Sequence, residues 1–111
     1  MLARGNRMRT SEEFRQTIRF GKRSARPTLV AHVVPGGTGN TSVGFVVSKA
    51  VGPAVVRNRV KRRLRHLMRE RVDQLPAGSR LVIRALPQAA QQSASSLAGD
   101  LDAALSKSGV L

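Results

Sequence analysis

The chain has 111 residues and no cysteine, which predicts one domain, residues 1–111, without disulfide bonds or thiolate metal sites. Twenty Lys and Arg against six Asp and Glu give a net charge of +14, and self-repulsion on this scale calls for a polyanionic partner. Nucleic acid is the first candidate because most of the cations are Arg, whose planar fork suits phosphate, while an anionic membrane surface is the weaker alternative.

The basic residues are concentrated in two segments, residues 1–26 and residues 57–71, and only Lys49 is charged between them. No apolar run approaches the roughly 20 residues that span a bilayer. The basic N-terminus also lacks the apolar stretch of a signal peptide. We therefore expect a cytoplasmic protein that makes no membrane contact.

The first predicted element is a helix that begins at Thr10 or Ser11 and ends near Phe20, before Gly21. A hydroxyl at the N-cap, followed by two acidic residues in the first turn, is typical of a helix start.

Strands are predicted next, because apolar and β-branched residues dominate Thr28–Val34 and Ser42–Lys49. The Gly-rich loop between them suggests that the two strands form a hairpin with a flexible tip. A short early strand, Arg23–Pro27, is expected to join the first of them. A later strand is predicted at Arg80–Leu86, between a Gly-containing turn and a proline.

A long helix is predicted within Pro53–Val72, with the proline at its start. Steps of roughly 100° per residue separate its side chains into two faces. The apolar face comprises Val56, Val60, Leu64, Leu67 and Met68. The polar face comprises Asn58, Arg62, Arg65 and Arg69, flanked by Arg59 and Lys61.

A third helix is predicted at Ser93–Ser106, where leucines recur at every fourth position. A strand, a long helix and a further strand in succession imply a crossover unit that packs beside a small sheet. The elements thus indicate an α+β domain.

Two interpretations of the basic helix face are open. Charge runs on helices are usually solvated surfaces. This one has no acidic residue at i+4 spacing except Glu70, and unpaired like charges at helical spacing destabilise a helix. An array that opposes its own helix favours a polyanionic ligand.

No catalytic or metal site is predicted. His32 and His66 are isolated, without cysteine or paired acidic residues. Ser48 has no His or acidic residue in a recognisable relation to it, so it is not expected to be a nucleophile. The six acidic residues form no pair poised for acid–base work or for Mg²⁺ binding.

The segment VGFVVSKAVGPAVVRNRVKRRLR, residues 43–65, resembles the signature of the bacterial ribonuclease P protein subunit. A strand ends in Val47-Ser48-Lys49, a turn contains Gly52, and Ala54-Val55 leads into Arg57-Asn58-Arg59 and Lys61-Arg62. Asn6-Arg7 and Glu13-Phe14 are similar to the start of that family, so the resemblance covers nearly the whole chain.

The resemblance implies an αβββαβα sandwich, ribosomal protein S5 domain 2-like, with a left-handed βαβ crossover. It also implies an accessory subunit of an endoribonuclease whose catalytic component is an RNA that uses Mg²⁺. That enzyme hydrolyses the phosphodiester bond between the 5′ leader and the mature part of precursor tRNA. The expected partners are ribonuclease P RNA, with one protein per RNA, and precursor tRNA.

Transferred to this chain, the resemblance assigns two sets of residues and no catalytic one. The set that faces the catalytic RNA is Arg57, Asn58, Arg59, Lys61, Arg62, Arg65 and Arg69. The set that lines a cleft for the single-stranded leader is Phe14, Ile18, His32, Ser48 and Lys49. Ile18 stands where the family often has a second aromatic ring. Because single strands are held by stacking on rings, leader affinity is expected to differ here.

Two alternatives explain the charge without the signature. A structural RNA-binding protein, such as a ribosomal protein, accounts for +14 but not for the order of strand, turn and Arg-Asn-Arg helix. A DNA-binding helix-turn-helix requires a helix directly before the recognition helix, whereas here a strand is predicted there. Phe14 on its own is also compatible with a core position.

Overall fold

In the computed structural model, which describes residues 4–109, helix α1 spans Ser11–Phe20. Thr10 is its N-cap, and the Thr10 side chain accepts a hydrogen bond from the backbone N–H of Glu13 at 3.1 Å. The helix ends at Gly21, which lies so close to β-strand backbone at Val33 that an added Cβ would overlap it. The predicted bounds of α1 are confirmed.

Four strands form one mixed sheet: β1 (Lys22–Ala25), β2 (Leu29–Val34), β3 (Ser42–Val46) and β4 (Arg80–Ala85). Their order across the sheet is β1-β2-β4-β3. β2 pairs antiparallel with both β1 and β4, whereas β3 pairs parallel with β4. The expected pairing of the early strand with the next is confirmed.

The predicted hairpin between β2 and β3 is wrong, because β4 lies between them. β4 presents Leu81, Val82 and Ile83 in succession, all fully buried, and a strand that is apolar on both faces belongs in the centre of a sheet. The loop at residues 35–41 carries the chain from β2 past the position of β4 to the far edge of the sheet, where β3 lies. β3 also ends at Val46, earlier than the predicted Lys49.

Two helices cover one face of the sheet, α2 (Ala54–Arg69) and α3 (Ala94–Lys107). Their apolar side chains form one core cluster with alternate residues of β2 and β4. From the apolar face predicted for the long helix, Val60, Leu64, Leu67 and Met68 are buried and Val56 is partly buried. The amphipathic pattern is thus confirmed, and α2 forms the crossover between the parallel strands β3 and β4.

Helix α1 lies on the opposite face of the sheet. Phe14 packs over Gly44 of β3, and Gly21 meets β2 at the other end of the helix. Within residues 4–109, no helix combines the length and the apolar character needed to span a membrane.

Candidate nucleic-acid interface

The polar face of α2 is an uncompensated row of cations. Asn58, Arg62 and Arg69 are exposed, while Lys61 and Arg65 are half-buried. Within residues 4–109, none of the four cations on this face forms an ion pair with a carboxylate. A crevice of about 310 Å³ runs along this face, lined by Asn58, Lys61, Arg62, Arg65 and His66. The row is therefore free to receive phosphate groups.

The two arginines of the Arg-Asn-Arg motif are placed differently from this row. Arg57 donates from Nε to the carbonyl of Gly52 at 3.0 Å. Arg59 donates from Nη2 to the carbonyl of Ala90, also at 3.0 Å. Since a guanidinium has five N–H donors, both retain donors for RNA, but each also fixes the start of α2 to the protein. Contact with RNA stays a prediction for both.

The turn before α2 brings the strand-end residues beside this helix. Ser48 and Lys49 are exposed at the start of a 3₁₀ turn that follows β3. Gly52 then adopts φ of 155°, where an added Cβ would press on Val56. A glycine is needed here for the chain to reverse into α2, and it places Lys49 near the start of that helix.

A second hollow, of about 140 Å³, lies at the β3 edge of the sheet, between α1 on one face and α2 on the other. Its lining residues are Arg7, Met8, Phe14, Val43, Gly44, Phe45, Lys61 and Arg65. Because Lys61 and Arg65 also line the crevice on α2, the two hollows adjoin. The structure thus brings Phe14 together with cations of the long helix, an association that the sequence did not indicate.

Ile18 and His32, predicted to share a cleft with Phe14, do not line this hollow. The Ile18 side chain is 37% exposed on α1, whereas His32 is only 3% exposed in the middle of β2. At that exposure the His32 ring offers no face for base stacking in this conformation. That His32 belongs to a leader cleft stays a prediction. At this burial its ring could support the cleft from beneath, but it could not stack on a base.

The environment of His32 keeps its ring uncharged. Burial, followed by repulsion from Arg84 and Arg23, lowers the pKa of His32 below its ordinary value. Neither ring nitrogen has a hydrogen-bond partner among the described residues. The ring therefore contributes volume to the α1-side face of the sheet and no positive charge at neutral pH.

Three arginines near the predicted cleft were not expected there from the sequence. Arg84 is exposed on the central strand β4 between Val30 and Val46, and Arg23 pairs with His32 across β1 and β2. Arg7 lines the second hollow. Alternation in the segment RLVIRA was the signal that could have found Arg84, since it places that residue opposite the buried Ile83.

Two acidic side chains, Asp100 and Asp102, stabilise the fold. The carboxylate of Asp100 accepts hydrogen bonds from the backbone N–H and the hydroxyl of Thr28 at 3.0 and 2.6 Å. Asp102 accepts a hydrogen bond from Arg71 at 2.6 Å, and this bond lowers the pKa of the carboxyl group. Across residues 4–109, no group of three or more His, Cys, Asp or Glu side chains converges as a metal site.

The family model described as Ribonuclease P matches residues 2–109. The chain belongs to the ribonuclease P protein family. A member of this family is a subunit of ribonuclease P, the endoribonuclease complex of tRNA processing.

Two curated relatives are similar over nearly their whole length. A ribonuclease P protein component from Streptomyces avermitilis is 53% identical, with 96% of this chain and 94% of the relative covered. One from Nocardioides sp. is 52% identical, with 98% and 96% covered.

Solved structures share the fold. The ribonuclease P protein of Staphylococcus aureus superimposes with a TM-score of 0.85 at 22% identity, covering 95% of this chain and 96% of that one. The protein of Thermotoga maritima gives a TM-score of 0.78 at 22% identity, with 91% and 96% covered. The α+β architecture expected from the resemblance is thereby confirmed.

Proposed function

We propose that this chain docks on ribonuclease P RNA through the polar face of α2 and helps that RNA to bind the 5′ leader of precursor tRNA. The observation that supports the first part is the row of cations without carboxylate partners. Lys61, Arg62, Arg65 and Arg69 project from a helix whose opposite face is fixed in the core. A rigid helix holds these charges at a constant spacing, which suits the repeating phosphates of a folded RNA.

The leader is assigned to the α1 side of the sheet. Ile18 is exposed there, and Phe14 is half-buried on the same side of α1. Arg84 and Arg23 add cations on the same face of the sheet. Apolar side chains beside arginines suit a single strand, whose bases need contact surface and whose phosphates need positive charge. Ser48 and Lys49 lie in the turn that joins β3 to α2.

Hydrolysis is assigned to the RNA and its Mg²⁺. The described acidic residues do not converge on a common point, and Asp100 and Asp102 already accept hydrogen bonds from the protein. This chain therefore does not fit a Mg²⁺ site of its own. Its role is to bind and orient, with one protein per RNA, and the expected location is the cytoplasm.

Reconstitution tests the proposal. The purified chain is added to a bacterial ribonuclease P RNA at low Mg²⁺, and cleavage of precursor tRNA with a long or a short leader is followed. We expect faster 5′ cleavage and tighter precursor binding, with the larger gain for the long leader. If the protein accelerates neither substrate, the proposed role is wrong. If both gain equally, only the leader assignment fails.

Enlarging Ile18 tests the leader assignment by a gain of affinity. Ile18→Phe places a ring on the exposed side of α1, and a stacked base is worth roughly 1–3 kcal/mol. We expect precursor with a long leader to bind at least about 5-fold more tightly to the reconstituted complex, which is the low end of that range in free energy. Affinity for the catalytic RNA alone should not change.

Phe20→Ile is the matched control for this substitution. Phe20 lies on the same helix and is 67% exposed, but it is turned by roughly 160° from Ile18 at about 100° per residue. We expect no leader-dependent change from the control. If Phe20→Ile changed the affinity for the leader as much as Ile18→Phe does, a leader site at Ile18 would be contradicted.

A further inference from the structure

We propose that the hollow between α1 and α2 is a pocket for one unpaired nucleotide of the catalytic RNA. Its phosphate would lie between Arg7, Lys61 and Arg65, with its ribose or base against Phe14 and Phe45. The proposal rests on the proposed docking of α2 on that RNA. It adds a residue outside α2, Arg7, to the RNA-binding surface and gives Phe14 a contact with the catalytic RNA.

The position of Arg7 is fixed by the edge of the sheet. Arg7 forms a β-bridge with Val43, and the next residue, Met8, donates its backbone N–H to the Val43 carbonyl at 3.0 Å. Asn6 also donates from its side chain to the carbonyl of Thr41 at 2.8 Å. Arg7 therefore projects from an ordered segment, so binding orders its side chain but does not also have to order its backbone.

Three cations converge on the hollow without an acidic partner. No ion pair with a described residue occupies Arg7, Lys61 or Arg65. The nearby carboxylates are engaged elsewhere, since Glu12 pairs with Arg15 and Glu13 accepts a hydrogen bond from Thr10. Three like charges around one space repel each other, and a phosphate that enters this space removes the repulsion.

Apolar residues form the floor of the hollow. The Phe14 ring occupies the space that a Cβ at position 44 would need, so Gly44 permits its position. The volume, about 140 Å³, is well above the roughly 10–15 Å³ that one water molecule needs on the same measure. The hollow is therefore large enough to receive a phosphate group and to let the attached sugar or base contact its apolar residues.

The catalytic RNA is the occupant favoured by the structure. Lys61 and Arg65 line both this hollow and the crevice of α2, so an RNA strand on α2 reaches the pocket without leaving the surface. Phe14 is shared with the proposed leader side, whereas Ile18 and Arg84 of that side do not line the hollow. A nucleotide of the leader is thus the competing occupant, and the experiment separates the two.

A double-mutant cycle on the whole chain tests the pocket. The affinity of Arg7→Met, Arg65→Met and the double variant is measured for ribonuclease P RNA alone. If both arginines hold one phosphate, each single change should weaken binding about 10-fold, and the double variant only about 20- to 30-fold. Unchanged melting temperatures would show that folding is intact, as expected for side chains without partners in the protein.

The control cycle pairs Arg7→Met with Arg69→Met, whose side chain lies outside the hollow. These changes should combine to about 100-fold, the product of two independent losses. An additive Arg7–Arg65 pair, or no effect of Arg7→Met while Arg69→Met weakens binding, overturns the pocket alone. If neither Arg65→Met nor Arg69→Met weakens binding, the docking of α2 itself is wrong.

A further arm identifies the strand in the pocket. The loss caused by Arg7→Met is compared for the catalytic RNA alone and for precursor tRNA with and without a leader bound to the reconstituted complex. We expect the loss on the catalytic RNA alone. A loss that appears only with the leader present would place the leader in the pocket and overturn the assignment made here.

Discussion

Arg62→Ala combined with Arg69→Ala is expected to weaken binding of the catalytic RNA by roughly 100-fold. Both side chains are exposed on the polar face of α2 and have no carboxylate partner among the described residues. A hydrogen bond to a charged group contributes about 1.5 kcal/mol or more, so two lost contacts account for this loss.

The salt dependence of binding provides the sharper measurement. Each phosphate contact releases condensed counterions, so the slope of log K against log salt should fall by roughly 1.5–2 in this double variant. Folding should be unaffected, because neither side chain takes part in the core. The measurement is a salt titration of RNA affinity from about 50 to 200 mM, beside a thermal melt.

Arg19→Ala combined with Lys107→Ala is the charge-matched control. The two residues lie in α1 and in the last turn of α3, outside the polar face of α2. If removal of any two positive charges produced the effect, this control would change the slope equally. That result would make the α2 face a solvated surface and contradict its role in docking.

Leu64→Ala is expected to destabilise the chain severely. Leu64 is fully buried in the cluster that joins α2 to the sheet and to α3. Truncating such a side chain costs about 2–5 kcal/mol, a large part of the roughly 5–15 kcal/mol that holds a domain folded. The free energy of unfolding in urea gives the direct measurement.

This variant also tests the link between core and function. RNA binds the folded state, so an excess of RNA should recover part of the lost stability. Affinity extrapolated to fully folded protein should be nearly unchanged, because Leu64 faces away from the polar row. A lasting loss of affinity in folded Leu64→Ala would show that repacking moves the cations.

Val55→Ala is the control on the same helix. The Val55 side chain is 78% exposed, so its truncation should change stability by less than about 0.5 kcal/mol. Equal destabilisation by the two substitutions would contradict the division of α2 into a buried and a solvent-facing side.

The sequence alone determined the elements and the two faces of the long helix. Capping chemistry at Thr10, β-branched runs and the spacing of Val60, Leu64 and Met68 are local patterns, and the structure bears them out. The segment around Arg57-Asn58-Arg59 was also sufficient to indicate the family, because it combines residue types with the order of strand, turn and helix.

Only the tertiary structure decided how these parts meet. Strand pairing depends on burial summed over distant segments, which is why β4 displaced the expected partner of β2. Packing of distant segments likewise buries the His32 side chain. It also brings Arg7 and Phe14 close to two cations of α2, Lys61 and Arg65. The Arg-rich helix was evident from periodicity, whereas the pocket beside it is formed by residues more than fifty positions apart in the chain.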